Sequence, residues 1–122
     1  MTYIVMNNGC YGLTKGQFSA TNDKSSPSKK GEANPFDPID LCQMAIQLGA
    51  GFVGRSFSGD KKQLIPLIKA AITYKGFAFL DVINVYGGPG GGSQDFDPRR
   101  GVIVADEGEA FPIIGLIIER SW

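Results

Sequence analysis

The sequence predicts an α/β fold, a parallel β-sheet with flanking helices. Three short apolar runs, at residues 3–6, 51–56 and 77–83, have the length and composition of strands. Two amphipathic stretches, at 37–49 and 61–74, lie between them. This alternation of strand, helix, strand, helix and strand is typical of a parallel sheet with right-handed crossovers.

The first strand, residues 3–6, is uniformly apolar, so we expect it to be buried, and it ends abruptly in a polar turn. In open α/β sheets, ligands bind beyond the carboxyl ends of the strands. Asn8 offers a neutral amide oxygen there, and Gly9 lets the chain turn so that the carbonyl of Cys10 could point at the same ion. Oxygen ligands of this kind suit magnesium shared with a substrate phosphate. On residue types alone, a simple polar loop after a strand is the favoured interpretation.

The residues that follow the turn have the composition of a phosphate-binding loop. Gly12 and Gly16 allow backbone amides to approach an anion closely, and Lys15 adds a cation. Thr14 and Gln17 add polar groups within reach of the same place. After them, residues 19–34 are polar and form a long loop, either a functional lid or a solvated connection.

The two helices have recognisable ends. Asp37 is expected to cap the first helix, with Pro38 at its first position and Gly49 after its last residue. Cys42 lies on the apolar stripe of this helix, and we expect it to be a core residue. Pro66 interrupts the second helix, which should either begin near that residue or kink there.

The third strand, residues 77–83, is apolar except for Asp81. Beyond residue 84 the composition changes. Residues 85–100 form a glycine-rich linker, and residues 101–122 form a divergent tail with possible strands at 101–105 and 113–118.

Composition excludes several function classes. The 122 residues make one domain or part of one, with 12 basic and 12 acidic side chains, so no charge excess favours nucleic acid or an anionic membrane. Histidine is absent, which excludes Ser-His-Asp and Cys-His nucleophile systems within this chain. Its two cysteines are far apart, and no apolar run reaches the length of a membrane span or a secretory signal. A reduced, cytoplasmic setting is therefore expected.

The block from Asn7 to Gln17, with its Tyr-Gly-Leu-Thr-Lys-Gly-Gln sequence, resembles the beta subunits of 2-oxoacid:ferredoxin oxidoreductases. The resemblance continues through residues 18–21 and 34–38 and on to residues 79–83. It implies a thiamine-diphosphate enzyme that oxidatively decarboxylates 2-oxoacids with coenzyme A and ferredoxin. It also implies a heterodimer with an alpha subunit.

The resemblance assigns a role to each residue of the turn. It implies that the Asn8 side chain and the Cys10 carbonyl bind magnesium, and that Lys15 and Leu13 face the reacting carbon of the cofactor. Lys15 would hold the carboxylate of the 2-oxoacid. The remaining cofactor-binding residues that the resemblance implies are Gly9, Tyr11, Gly12 and Thr14.

The chain also departs from the family pattern. The Gly-Asp-Gly segment that supplies a further magnesium ligand is absent, as are the cysteines of the family's iron-sulfur cluster. Val85 and Tyr86 stand where the last cluster cysteine is expected. We therefore expect residues 1–84 to be the C-terminal half of a thiamine-diphosphate-binding domain, and the isolated chain to be inactive. The alternatives are another thiamine-diphosphate decarboxylase or carboligase, and a non-catalytic truncated fragment or interaction module.

Overall fold

A computed structural model describes residues 1–11, 17–28 and 30–84, together with two short tail strands. In chain order the elements are β1 (Thr2–Asn7), β2 (Cys10–Tyr11), β3 (Gln17–Phe18), α1 (Leu41–Gln47), β4 (Phe52–Phe57), α2 (Lys61–Thr73), β5 (Ala78–Ile83), β6 (Val102–Ala105) and β7 (Leu116–Ile117). The glycine-rich linker predicted at 85–100 lies outside the described residues.

Three parallel strands form the part of the sheet that carries the candidate site. β5 lies between β1 and β4, and Ala78 is paired with Thr2 on one side and Phe52 on the other. β6 joins the far side of β4 antiparallel, and β7 runs parallel to β6, so the strand order is β1-β5-β4-β6-β7. The predicted α/β class with parallel strands is confirmed, and both tail strands fall within the stretches where strands were expected.

The two helices pack on opposite faces of this sheet, because successive strand residues point to alternate sides. The α1 face buries Cys42, Ala45, Val53 and Phe79, and the α2 face buries Phe52, Leu67, Ala71 and Leu80. Gly54 lets α2 approach β4 closely. A Cβ atom there would lie 3.0 Å from Leu80 Cδ2 and 3.1 Å from Leu67 Cδ1, tighter than ordinary van der Waals contact.

Strand β1 departs from the expectation that residues 3–6 are buried. Tyr3 is 56% exposed, Ile4 41% and Met6 60%. Among the described residues β1 is paired only with β5, so one long side and parts of both faces have no cover. The prediction of a strand is therefore confirmed. The prediction that its residues are buried is wrong.

The start of α1 is a second correction. The helix begins at Leu41, and its N-cap is Asp40 rather than Asp37. Asp40 Oδ1 accepts hydrogen bonds from the backbone N–H groups of Cys42 (2.9 Å) and Gln43 (3.1 Å). Asp37 instead lies on the surface, with a 3.0 Å ion pair to Lys24.

The C-terminal end of α1 is as predicted. Gly49 has a φ of 88° just past α1, and the Ala50 N–H bonds back to the Ala45 carbonyl at 3.0 Å, which closes the helix. The second helix starts at Lys61 and continues through Pro66, so a late start at the proline is wrong. In the described part of the chain, no helix has the length and apolar character required to cross a bilayer.

A candidate cofactor-binding turn at the end of strand β1

Hydrogen bonds connect the carboxyl ends of the three parallel strands. The Asn84 N–H donates to the Asn7 carbonyl at 2.7 Å, and the Ser58 N–H donates to the Ile83 carbonyl at 2.9 Å. The Ser58 hydroxyl also donates to Asn84 Oδ1 at 3.1 Å. The sequence pattern did not single out Ser58 or Asn84, although each directly follows a strand, which was the available signal.

Asn7 has a structural role in the turn. Its side chain is buried, and its Oδ1 accepts hydrogen bonds from the Thr21 hydroxyl at 2.7 Å and the Gly9 N–H at 3.3 Å. These two bonds use both lone pairs of the amide oxygen. Asn7 therefore fixes the path of the turn, and its side-chain oxygen is already fully hydrogen-bonded.

In contrast to Asn7, Asn8 is only half-buried. Its Oδ1 accepts one hydrogen bond, from the Cys10 N–H at 3.2 Å. Between them, Gly9 has a φ of 67°, in the left-handed region where other residues are strained. The resulting Asx-type turn leaves one lone pair of the Asn8 amide oxygen without a donor among the residues that the structure describes.

The small hairpin of β2 and β3 fixes the direction of the Cys10 carbonyl. Ser19 N–H donates to the Gly9 carbonyl at 3.2 Å, so Gly9 and Ser19 form a hydrogen-bonded pair. The next pair, Cys10 and Phe18, is then a non-hydrogen-bonded pair. Both backbone groups of Cys10 point away from β3, towards the side on which its N–H meets Asn8 Oδ1. The Asn8 amide oxygen and the Cys10 carbonyl thus lie on the same edge of the turn.

The structure places some of the predicted site residues and not others. Asn8, Gly9 and Cys10 form the turn, Cys10 is buried, and Tyr11 follows it with an exposed side chain. The hairpin strands enclose residues 12–16. Gly12, Leu13, Thr14 and Lys15 lie outside the described residues.

The segment from Ser19 to Asp40 is folded against the turn. The buried Asn34 side chain donates to the carbonyls of Asn22 (3.1 Å) and Asp23 (3.2 Å) and accepts from the Phe36 N–H (3.1 Å). The Ala20 carbonyl accepts from the Ile39 N–H at 2.8 Å. Together with the Thr21 bond to Asn7, these contacts make the segment a brace for the turn. Pattern alone could not show this, because the bonds from Asn34 to Asn22 and Asp23, from Ile39 to Ala20 and from Thr21 to Asn7 all span more than ten residues.

Comparison with known proteins identifies the family. A family model described as thiamine pyrophosphate enzyme, C-terminal TPP binding domain, matches residues 1–82. The chain belongs to this family. The predicted resemblance is confirmed, and the Asn8 turn lies inside the matched TPP-binding domain.

Proteins similar to this chain are named as subunits of 2-oxoglutarate synthase and of 2-oxoacid:ferredoxin oxidoreductase. A 2-oxoglutarate synthase subunit KorB of Methanocaldococcus jannaschii is 41% identical over 69% of this chain and 32% of its own length. A 2-oxoacid:ferredoxin oxidoreductase subunit beta of Saccharolobus solfataricus is 46% identical over 69% of this chain and 28% of its own. The solved 2-oxoglutarate:ferredoxin oxidoreductase from Magnetococcus marinus, with 2-oxoglutarate, coenzyme A and succinyl-CoA bound, aligns with a TM-score of 0.63 at 36% identity. That alignment covers 68% of this chain and 29% of the solved chain. The chain therefore spans about a third or less of these relatives.

A buried ionic network lies in the TPP-binding domain on the α1 face of the sheet. Arg55 Nε donates to Asp81 Oδ2 at 2.8 Å, and Arg55 Nη2 donates to Asp40 Oδ1 at 2.7 Å. Asp81 is fully buried, and its Oδ1 has no hydrogen-bond partner among the described residues. Arg55 thereby joins the N-terminus of α1, and the brace segment that leads into it, to strands β4 and β5.

The network sets the ionisation of its members. Burial alone would raise the pKa of Asp40, but the hydrogen bond and charge of Arg55 and the backbone donors together lower it. Burial raises the pKa of the Cys42 thiol to about 12, although the nearby Arg55 charge opposes the shift. The expectation that Cys42 is a core residue is confirmed, since it is 1% exposed.

Proposed function

We propose that this chain supplies the magnesium- and diphosphate-holding turn of a 2-oxoacid:ferredoxin oxidoreductase beta subunit. The names of its relatives support this function over that of a carboligase. The observation that carries the proposal is the placement of the Asn8 amide oxygen and the Cys10 carbonyl on one edge of a turn, at the carboxyl end of a parallel strand. The complete enzyme would decarboxylate a 2-oxoacid oxidatively, with coenzyme A and ferredoxin, in complex with an alpha subunit.

The residues present suit a magnesium ion bound largely by the cofactor. Magnesium prefers oxygen ligands and is usually bound by one or two protein groups together with phosphate oxygens and water. The turn offers one side-chain amide oxygen and one backbone carbonyl. Within the described ranges, no group of three or more Cys, Asp or Glu side chains is gathered as an alternative metal site. The donor set therefore fits an ion shared with a diphosphate.

The residues that the resemblance assigns to the cofactor complete the proposal. Following the resemblance, Gly9, Tyr11, Gly12 and Thr14 would contact the cofactor, and Leu13 and Lys15 would face its thiazolium ring. Thiamine diphosphate, when bound, supplies the carbanion and the electron sink. The task of the Lys15 ammonium is to orient the carboxylate of the 2-oxoacid by charge. The family's iron-sulfur cluster has no ligand set among the described residues, where Cys10 and Cys42 are both buried and belong to different elements.

The test replaces the matched region of the Saccharolobus solfataricus beta subunit with residues 1–84 of this chain. Titration calorimetry then measures thiamine diphosphate binding with and without magnesium. We expect Asn8→Ala to weaken magnesium-dependent binding by at least about 10-fold, because loss of even an outer-shell metal contact costs this much. Asn8→Asp keeps the oxygen and should retain most of the binding. Gln47→Ala, which removes an exposed amide on α1, serves as the control. Unchanged magnesium-dependent binding in Asn8→Ala would exclude the assignment.

A further inference from the structure

The hydroxyl groups of Ser19 and Thr21 form a relay of hydrogen bonds that ends at the Asn7 side chain. Thr21 Oγ1 lies 2.7 Å from Asn7 Oδ1 and 2.9 Å from Ser19 Oγ. The Thr21 N–H in turn donates to Ser19 Oγ at 3.3 Å. All three residues are partly or fully buried, so bulk water competes little for these bonds.

The Gly9 N–H fixes the direction of every proton in this hydroxyl relay. It donates to the same Asn7 Oδ1 at 3.3 Å, so this atom is the amide oxygen, which can only accept. Thr21 must therefore donate its single hydroxyl proton to Asn7, and its oxygen must accept the hydroxyl proton of Ser19. A hydroxyl that accepts a hydrogen bond becomes a stronger donor, so Ser19 strengthens the bond from Thr21 to Asn7.

Both backbone groups of Gly9 are held by the same segment. The Ser19 N–H donates to the Gly9 carbonyl at 3.2 Å, and the Gly9 N–H is bound by the Asn7 oxygen at the end of the hydroxyl relay. Gly9 has a φ of 67°, and an unrestrained glycine adopts other conformations as readily. Because Gly9 lies between Asn8 and Cys10, its conformation sets how the Asn8 amide oxygen and the Cys10 carbonyl are aligned.

We propose that Ser19 and Thr21 are positioning residues for the turn from Asn8 to Cys10. Their hydroxyl relay holds Gly9 in the left-handed conformation before a cofactor arrives, so that the two oxygens of the turn are already aligned for the ion. Ligands that are ordered in advance lose less conformational entropy on binding, which increases affinity. The effect on metal binding rests on the proposed function of the turn, whereas the effect on the Gly9 conformation does not.

Amide hydrogen exchange in the full 122-residue chain, without metal or cofactor, tests the relay itself. Thr21→Val removes the hydroxyl and keeps the shape of the side chain. We expect the Gly9 amide to exchange at least about 10-fold faster in this variant, because its acceptor is no longer held in place. Thr21→Ser keeps the hydroxyl and should restore slow exchange. Ser19→Ala should give a smaller increase, and it becomes the decisive variant if Thr21→Val does not fold. Unchanged exchange at Gly9 in the folded variants would overturn the proposal.

Thr2→Val is the matched control. The Thr2 hydroxyl is also partly buried and donates to a distant part of the sequence, the Ala71 carbonyl at 2.9 Å, but it lies at the amino end of β1. Loss of this bond should lower the stability of the chain without accelerating exchange at Gly9. Equal acceleration in Thr2→Val and Thr21→Val would assign the effect to a general loss of stability and would also overturn the proposal.

The consequence for the metal is measured in the hybrid subunit, the Saccharolobus solfataricus beta subunit that carries residues 1–84 of this chain. Titration calorimetry compares thiamine diphosphate binding in magnesium with binding in calcium. Magnesium demands near-ideal octahedral geometry, whereas calcium accepts irregular coordination. Thr21→Val should therefore weaken magnesium-dependent binding by about 10-fold and calcium-dependent binding by less than about 3-fold. Thr21→Ser and Thr2→Val should leave both close to the values of the parent hybrid.

The Asn8→Ala hybrid distinguishes failure of this proposal from failure of the proposed function. If Asn8→Ala weakens magnesium-dependent binding but Thr21→Val leaves the ratio of magnesium to calcium binding unchanged, the turn holds the metal and the positioning role is wrong. If Asn8→Ala has no effect on magnesium-dependent binding, the proposed function is wrong and the effect on the metal falls with it. Exchange at Gly9 still decides in that case whether the hydroxyl relay holds the turn.

Discussion

Replacing Arg55 with methionine would remove the only cation that contacts the buried Asp81 carboxylate in the described part of the chain. Methionine keeps much of the apolar stem of arginine, so the change acts mainly through charge and hydrogen bonding. Asp81 is fully buried, and one of its oxygens already lacks a hydrogen-bond partner within the part of the chain that the structure describes. After the substitution neither of its oxygens would be hydrogen-bonded.

The expected loss of stability can be worked from the two halves of the network. Removing one partner of a buried pair costs about 3–5 kcal/mol, because an uncompensated charge is left in the interior. The ion pair between Arg55 and Asp40 contributes less, because the Asp40 side chain is 36% exposed. Exposed pairs of this kind stabilise a protein by about 1 kcal/mol or less. With a urea m-value of about 1–3 kcal/mol/M, we expect the unfolding midpoint to fall by about 2 M.

Urea unfolding followed by circular dichroism measures this shift. Asp40→Asn is the matched control, because asparagine preserves the helix cap while removing the charge, and it should cost about 1 kcal/mol or less. Asp81→Asn combined with Arg55→Met should recover much of the loss, since no buried charge then remains. A loss below about 1 kcal/mol for Arg55→Met, or an equal loss for Asp40→Asn, would refute the view that the buried pair dominates.

Two further predictions follow from the turn and the core. Gly9 and Gly49 both have left-handed φ angles, 67° and 88°. Alanine at either position should lower the free energy of unfolding by about 1 kcal/mol, measured by thermal unfolding. Only Gly9→Ala should also weaken magnesium-dependent cofactor binding in the hybrid subunit. Equal effects of the two substitutions on binding would contradict the role of the turn. Because burial raises the pKa of Cys42 from 9.0 to about 12, its contribution to stability is complete below pH 9 and is lost as the pH rises towards 12. Unfolding measured from pH 8 to 11 should therefore show a steeper alkaline decline in the parent chain than in Cys42→Ala, and identical slopes would contradict it.

Local pattern was sufficient for the type and order of the main elements. A pattern of apolar residues that extends over only a few neighbouring positions was enough to predict β4, β5 and α2. The start of α1 was missed because Asp37 and Asp40 are both good caps by type. Asp40 is selected by its contact with Arg55, 15 residues away, which no local pattern contains.

In the candidate site, too, some features follow from the local sequence and others depend on contacts between distant residues. The polar turn at Asn8 and Gly9 follows from residue type and position after a strand, and it was predicted. Its brace was not, because the bonds from Thr21 to Asn7 and from Asn34 to Asn22 depend on how the intervening segment folds. The exposure of β1 also depends on long-range pairing, since an apolar strand has the same sequence whether its neighbour is present or not.

The most direct test of the central claim uses manganese in place of magnesium. A paramagnetic ion broadens the nuclear magnetic resonance signals of nearby groups, so the ¹H–¹⁵N spectrum of the hybrid subunit, with residues 1–84 selectively labelled, reports where the ion lies. With thiamine diphosphate and manganese, the Asn8 side-chain amide and the Cys10 and Tyr11 backbone amides should broaden and disappear, whereas the Ala78 backbone amide, at the opposite end of the parallel strands, should remain. If the Asn8 signals persist while others vanish, the ion lies elsewhere and the turn does not hold the metal.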